Sequence, residues 1–454
     1  MRSRWFWVGI GITAFLLALA IHNAHHNPVA QLEREIDRLK QRGEPTRFHD
    51  LLPPVNPSQD GTPFYQLAIA ELETIQKQHP ESFWDNLYQF GTKPVNLADV
   101  EKALKVVQPA LKTFRQALHY PHMRMIDLEV DNPAKILFPH FSKFRVFALL
   151  LVKEALWRKR QGDEDGAVES CLTAMKLARR MGDEPTFIGF LVQARIFFVA
   201  VNALQRVLKD AEASPKVYRA LLAELSAWDI NRDLVRALQM ERVFCLKFAN
   251  WAMQKASLRD ISWLSLHGEG VLVINPWLTS KNGFVARNML ELLDYLERLL
   301  SYARKGAPYD WAAIKRLTDE WLRKVETSQR VLLEVPVKIV WHPYAVAKLV
   351  APIMYPGSFY KAAESYAFQR LGQVAVALRI YRQEHGRYPE DLRALVPLYL
   401  PQVPLDPFDG KELRYRRLGQ GFKVWSVGFD CKDDGGMEGK PTSFMGDIVW
   451  TASR

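Results

Sequence analysis

The chain has 454 residues, a formal net charge of +11 and 48% hydrophobic residues. That length exceeds one compact core and the composition is ordinary globular stock, so disorder is excluded as the default and two or three domains are expected. Its basic residues are scattered among acids rather than gathered into a stripe, which argues against a nucleic-acid footprint.

The first element is an uncharged run, Trp5 to Ile21, behind Arg2 and Arg4. Its length meets the lower limit for spanning a bilayer, Trp5 and Trp7 suit the interface, and the arginines ahead should stay cytoplasmic. Residues 1–21 are therefore expected to be a membrane anchor, with the bulk of the chain exported. A cleaved signal peptide is the competing reading, because Ala18-Leu19-Ala20 has the small-x-small pattern of a cleavage site. Cys171, Cys245 and Cys431 are far apart and odd in number, so no disulfide framework follows and the first two are expected to be buried.

Residues 22–63 read as a stalk helix and a proline-rich linker. Val29, Leu32, Ile36 and Leu39 fall at helical spacing, over only two heptads, so packing on the chain itself is favoured over a dimer seam. Five prolines between Gly43 and Pro63 exclude a long helix there.

Residues 64–355 read as a large helical domain. Leu104, Val107, Leu111, Phe114 and Leu118 make one apolar stripe, with Pro109 inside it predicting a kink or break and Asp99 standing where an N-cap is wanted. Gly162, Ala167 and Ala174 lie where a tetratricopeptide-type hairpin places its turn and small residues, but the unit does not recur as an array requires. His140 and His342 sit among apolar residues and read as satisfied histidines; His22, His25 and His26 read as solvated. Ser358-Phe359-Tyr360-Lys361 matches SxxK without the partner motifs of serine acyl enzymes. Metalloprotease, nucleophile-elbow and phosphate-loop motifs are absent, so no catalytic residue is named.

Pro356-Gly357 breaks the chain. A helix is expected from Ser358 to His385, ended by Gly386. Leu413–Arg417 and Phe422–Val427 then read as strands around a Gly419-Gln420-Gly421 turn, with Ile448–Thr451 a third. The fold class is thus mainly α, with an N-terminal anchor, a helical domain, and an α+β domain over 356–454 made of a long helix and a small antiparallel sheet.

Four motifs in this last region occur in the order of a known family. A long helix leads to His385-Gly386-Arg387-Tyr388-Pro389. The run Asp406-Pro407-Phe408-Asp409-Gly410 follows, continuing to Tyr415. Ser426-Val427-Gly428-Phe429-Asp430 and then Asp447-Ile448 close the chain. This region, about a fifth of the sequence, resembles the periplasmic domain of type II secretion major pseudopilins. The resemblance implies that the final loop binds calcium, with Asp430 and Asp447 carried over by position. Met445 stands where the family has a further Asp, and Asp433 or Asp434 would replace that ligand. A hard cation taking six to eight oxygens suits such a loop; a solvated acidic turn is the alternative. The chain departs from the family at its N-terminus, where the anchor holds no acidic residue and lies about 340 residues from the pseudopilin-like helix.

The function expected is a bacterial envelope protein with a binding or scaffolding role. Its partners would be the membrane, through the N-terminal helix, and an envelope protein; the oligomeric state is left open. The alternatives are an accessory component of a type II secretion or pilus-like system, and an enzyme with an unrecognised site in the helical domain.

Overall fold

A computed structural model describes residues 27–128, 130–255, 281–330, 357–438 and 446–453. The expected anchor at 1–21, the three histidines after it and His342 lie outside the described residues. The rest is mainly helical with a three-stranded antiparallel sheet near the C-terminus.

Helix α1 (Pro28–Gln41) starts where Asn27 accepts a hydrogen bond from the Val29 amide at 2.9 Å, and it buries Leu32 and Leu39. It lies along α10 (Lys281–Lys305), so its apolar stripe is used within the chain. Helices α2 (Thr62–Gln78), α3 (Ser82–Gln89) and α4 (Leu97–Ala117) follow. Of the kink or break expected at Pro109, the break does not occur: α4 continues through it. Pro109 is on the exposed side of α4, where water can reach the carbonyl its ring leaves unbonded, while Val107, Ala110, Leu111 and Phe114 stay buried. The N-cap is Asn96 instead of Asp99; its side chain accepts from the Ala98 amide at 3.0 Å, and Asp99 accepts from Asn86 inside the first turn.

Helices α5 (Pro139–Arg160) and α6 (Glu164–Arg180) form a hairpin around Gly162, whose φ of +80° needs a residue without Cβ. Ala167 and Ala174 are fully buried at their contact. Helix α7 (Phe187–Leu208) is long and apolar enough to cross a membrane, but most of it is buried within the protein, against α5, α6 and α9 (Ile230–Gln254). Cys171 and Cys245 are free and buried, and Cys431 is free and exposed.

The organising element is α12 (Gly357–His385). Seventeen of its 29 residues are buried, which is far more than the single stripe of a surface helix. It packs on α7, α8 (Pro215–Ala227) and the sheet, and Gly372 lets it approach closely: a Cβ there would meet Leu225 at 3.3 Å and Trp450 at 3.6 Å. Its polar residues cap the ends of other helices. Arg379, 1% exposed, donates to the carbonyls of Leu208 and Ala211, and Gln383 donates to that of Ala213, just past the end of α7. Gln369 donates to the carbonyls of Leu225 and Trp228 at the end of α8. The Tyr366 hydroxyl accepts from the Asn231 amide at the start of α9. These are the backbone groups that a helix cannot satisfy itself.

Strands β1 (Arg414–Leu418), β2 (Gly421–Ser426) and β3 (Ile448–Ala452) pair in that order, with Leu418 opposite Gly421 and Phe422 opposite Ala452. Gly419 and Gln420 alone form the turn. Strand β3 touches α7, where Gln205 donates to the Val449 carbonyl and the Ser453 amide to that of Lys209. The change of periodicity at 356 therefore marks no break in packing: one hydrophobic core runs from Leu32 to Ala452.

Replacing Arg379 by Met should leave two buried carbonyls unsatisfied and cost about 3 kcal/mol. Arg393→Met, at an exposed site, should change stability little. Denaturant unfolding followed by circular dichroism measures both.

Candidate functional site

The acidic loop after β2 lies across the outer face of the sheet. Register places Arg414 opposite Trp425 and Arg416 opposite Lys423, so three basic side chains and an indole share that face. Asp433 meets them. Its carboxylate accepts from the Trp425 indole at 2.9 Å and from the Gly435 amide at 3.0 Å, and Arg414 Nε stands 3.6 Å away. The indole bond, with Arg414 and Arg416 nearby, holds Asp433 below the usual carboxylate range. Lys423 donates to the Gly436 carbonyl at 2.9 Å. Part of the loop's negative charge is thus answered by the sheet itself.

Asp447 differs. It is 3% exposed and accepts from the Gly436 amide at 2.7 Å and the Asp434 amide at 3.4 Å. Burial raises its pKa, and the charges of Asp433 and Asp434 add to the rise in spite of those amides. The Asp447 amide donates to the Met437 carbonyl at 3.1 Å, which ties the start of β3 to the loop. Asp430 accepts from the amides of Lys432 at 3.2 Å and Gly446 at 3.3 Å. Asp433, Asp434 and Asp447 therefore act on one another, and Asp430 reaches Asp447 through its neighbour Gly446. Residues 439–445, including Met445, lie outside the described residues.

Asp406 stands in the Asp406-Pro407 motif but had no expected role. It is fully buried and accepts from Arg414 at 2.7 Å, Ser426 Oγ at 2.8 Å, and the amides of Val427 at 2.8 Å and Phe408 at 3.0 Å. Burial raises its pKa despite the four donors. Arg414 bridges it to Asp409, so this one guanidinium serves three aspartates. The Asp-Pro pair ahead of a turn was the available signal.

In the helical region Glu184 and Asp233 are buried, and Asp183 and Glu241 are half-buried. Glu184, fully buried, accepts from the amides of Met125 and Ile126 and from His140 Nε2 at 2.8 Å. Asp183 accepts from the Met123 amide at 3.1 Å and Arg180 at 3.2 Å. Asp233 accepts from Gln193 at 2.7 Å and the Trp228 indole at 2.8 Å, and Glu241 from the Phe187 amide at 3.2 Å. These groups pin the extended segment 123–126 and the start of α7, which is structural work. His140 is a satisfied core histidine. Lys361 of the SxxK pattern is bound to Glu364 at 2.7 Å and lies over the Tyr360 ring, so its ammonium is placed as an ion-pair partner.

An open basin lies between α1, the 43–54 segment, residues 124–128 and α9. Lys40, Arg47, Arg124 and Lys247 line it beside Glu44, Asp50 and Asp127. It is mixed in charge. Comparison of the chain with protein-family models, with curated proteins and with solved structures gave no match.

Burial pushes Asp183 up to about 6 and Glu241 up to about 7. Both bind a proton more tightly folded than unfolded, so their contribution to stability is present at pH 4 and is lost as pH rises through 6 to 7. Glu241→Gln, which keeps an acceptor for the Phe187 amide, should flatten the fall in melting temperature between pH 5 and 8. Parallel curves for variant and parent would show that Glu241 does not titrate in that range.

Proposed function

We propose that the chain is a membrane-anchored protein of the bacterial envelope that works as a scaffold, with a pseudopilin-like unit built rigidly into a helical body. The burial of α12 carries this reading. A pseudopilin-like helix that is to pack into a filament needs a face to offer to other copies, whereas α12 spends its faces on α7, α8 and the sheet of its own chain. The helix is better suited to holding one body together than to joining many. Segment 5–21 supplies the anchor and the exported surfaces supply contacts to an envelope partner.

Pull-down of the full-length chain from detergent-solubilised membranes tests the reading. A stable envelope protein partner, recovered with a chain that keeps its N-terminus, is the expected result. Recovery of secretion or pilus-type components would favour the accessory-component reading instead.

Calcium belongs to the same proposal. Asp447 is buried and repelled by its neighbours, so a divalent ion there removes a cost that the amides leave in place, and the oxygen-only donor set suits a hard cation. Asp430, Asp434 and Asp447 would hold it, since Asp433 is already engaged by Trp425 and Arg414. The ion would add a tie between the loop and β3.

Binding to the folded state alone stabilises by about 2.7 kcal/mol at a hundred times the dissociation constant. Calcium should therefore raise the melting temperature by several degrees, and magnesium by much less. Asp434→Ala and Asp447→Ala should abolish the shift. Asp433→Ala should lower the starting stability and keep it. Equal melting curves in calcium and chelator would show a loop held by its own hydrogen bonds.

A further inference from the structure

We propose that the open basin between α1, α9 and residues 124–128 is a groove for an extended acidic peptide, whose carboxylates are held by Arg124 and Lys247. Nothing in this groove depends on the anchor, because its walls are built of described residues.

The basin has a volume of about 1340 Å³, above the roughly 300–1,000 Å³ of small-molecule sites. It has room for a stretch of chain. Beneath it Phe48, Ile126 and Val243 are buried in a small apolar cluster separate from the main core. Ile36 and Leu128 stay half-buried at its surface and Pro54 is exposed, so aliphatic side chains of a ligand meet apolar surface there.

Most of the charges that line it are already matched. Glu44 is held by Arg242 at 2.7 Å and by Arg304. Asp50 accepts from the amides of Thr46 and Arg47 at 2.9 Å, with the Arg47 guanidinium at 3.4 Å. Lys40 pairs with Asp37 at 3.0 Å. Asp127, the third acid of the basin, is exposed, where water and salt screen it. Arg124 and Lys247 are met by neutral groups instead. Arg124 donates to the Pro53 carbonyl at 3.4 Å, and among the described residues no ion pair closes its guanidinium. The carboxylates near it are spent elsewhere: Asp60 on Thr62, Asp183 on Arg180 and the Met123 amide, Glu184 on His140 and two amides. Burial lowers the Arg124 pKa in spite of these acids. Lys247 donates to the Leu128 carbonyl at 2.7 Å and lies 4.9 Å from the centre of the Phe48 ring.

The groove is also organised in advance. The amides of Met123, Arg124, Met125 and Ile126 donate to Asp183, Thr62 and Glu184, which fixes the segment that presents Arg124 and spares a ligand the cost of ordering it. The same bonds withdraw these amides from strand addition, so recognition rests on side chains. Four residues separate Arg124 from Leu128, up to about 13 Å of extended chain. A fatty acid has one anionic head and would engage one cation, whereas a nucleic acid wants a longer row of them. A peptide with acidic residues a few positions apart and aliphatic ones between engages both cations and the apolar surface.

The test is fluorescence anisotropy on the full-length chain in detergent, with a short fluorescein-labelled peptide of alternating glutamate and leucine. Versions with lysine for glutamate or serine for leucine should bind at least about tenfold more weakly, and added salt should weaken the parent peptide. Arg124→Met and Lys247→Met should each weaken it about tenfold. Arg316→Met, exposed on α11 (Trp311–Arg330) and outside the basin, should bind like the parent. Melting curves check that the variants fold; should Arg124→Met fail to do so, Lys247→Met decides. Equal binding of the lysine peptide, or unchanged affinity in the folded basin variants, would overturn the groove. Displacement of the peptide by oleate at lower concentration than by unlabelled peptide would overturn it in favour of an acyl lipid.

Discussion

The rest of this structure depends on what happens where its helices stop. Each helix leaves backbone carbonyls or amides without partners, and burying such ends costs free energy unless something meets them. In this protein α12 meets the ends of three helices, with Arg379 and Gln383 beyond α7, Gln369 beyond α8 and Tyr366 at the start of α9. The apolar contacts around Leu225 and Trp450 add area, but they are non-directional. The capping bonds fix which way α12 runs and how far it slides. The buried cation among them is tolerated because carbonyl dipoles converge on it.

The same device, a charged side chain closing a backbone group, recurs with the sign reversed. Glu184 and Asp183 close amides of residues 123–126, Asp406 closes amides around the turn before β1, and Asp447 closes those of the final loop. Carboxylates used in this way do not mark catalysis. They let irregular chain lie against the core without unsatisfied donors, and burial raises the pKa values of Asp183, Asp406 and Asp447.

Helix positions were legible in the sequence because periodicity is a local property, as at α4 or the hairpin around Gly162, and the three strands fell within one residue of their expected bounds. Whether Pro109 would end α4 could not be read locally, because its effect depends on whether water reaches the turn before it. The acidic loop was legible as a concentration of charge, but its partners were not. Arg414 and Arg416 become neighbours of Asp433 only through the register of β1 on β2, and nothing in a run of aspartates says that a strand 17 to 19 positions earlier will supply the counter-charge. Glu184 was silent for the same reason, since its amide partners lie 58 and 59 residues away.

The docking of β3 on α7 bears on how the chain comes to be made. Gln205 and Lys209 find their partners in Val449 and Ser453, some 244 positions later, so a ribosome must finish almost the whole polypeptide before this part of the core can close. Helix α7 is made long before the strand that touches it, although α5 and α6, which precede it, already bury much of its apolar surface. Contacts of such long separation are slow to form. A polypeptide cut short before residue 421 would never receive β2 or β3, so the sheet is a seal that only completed molecules acquire.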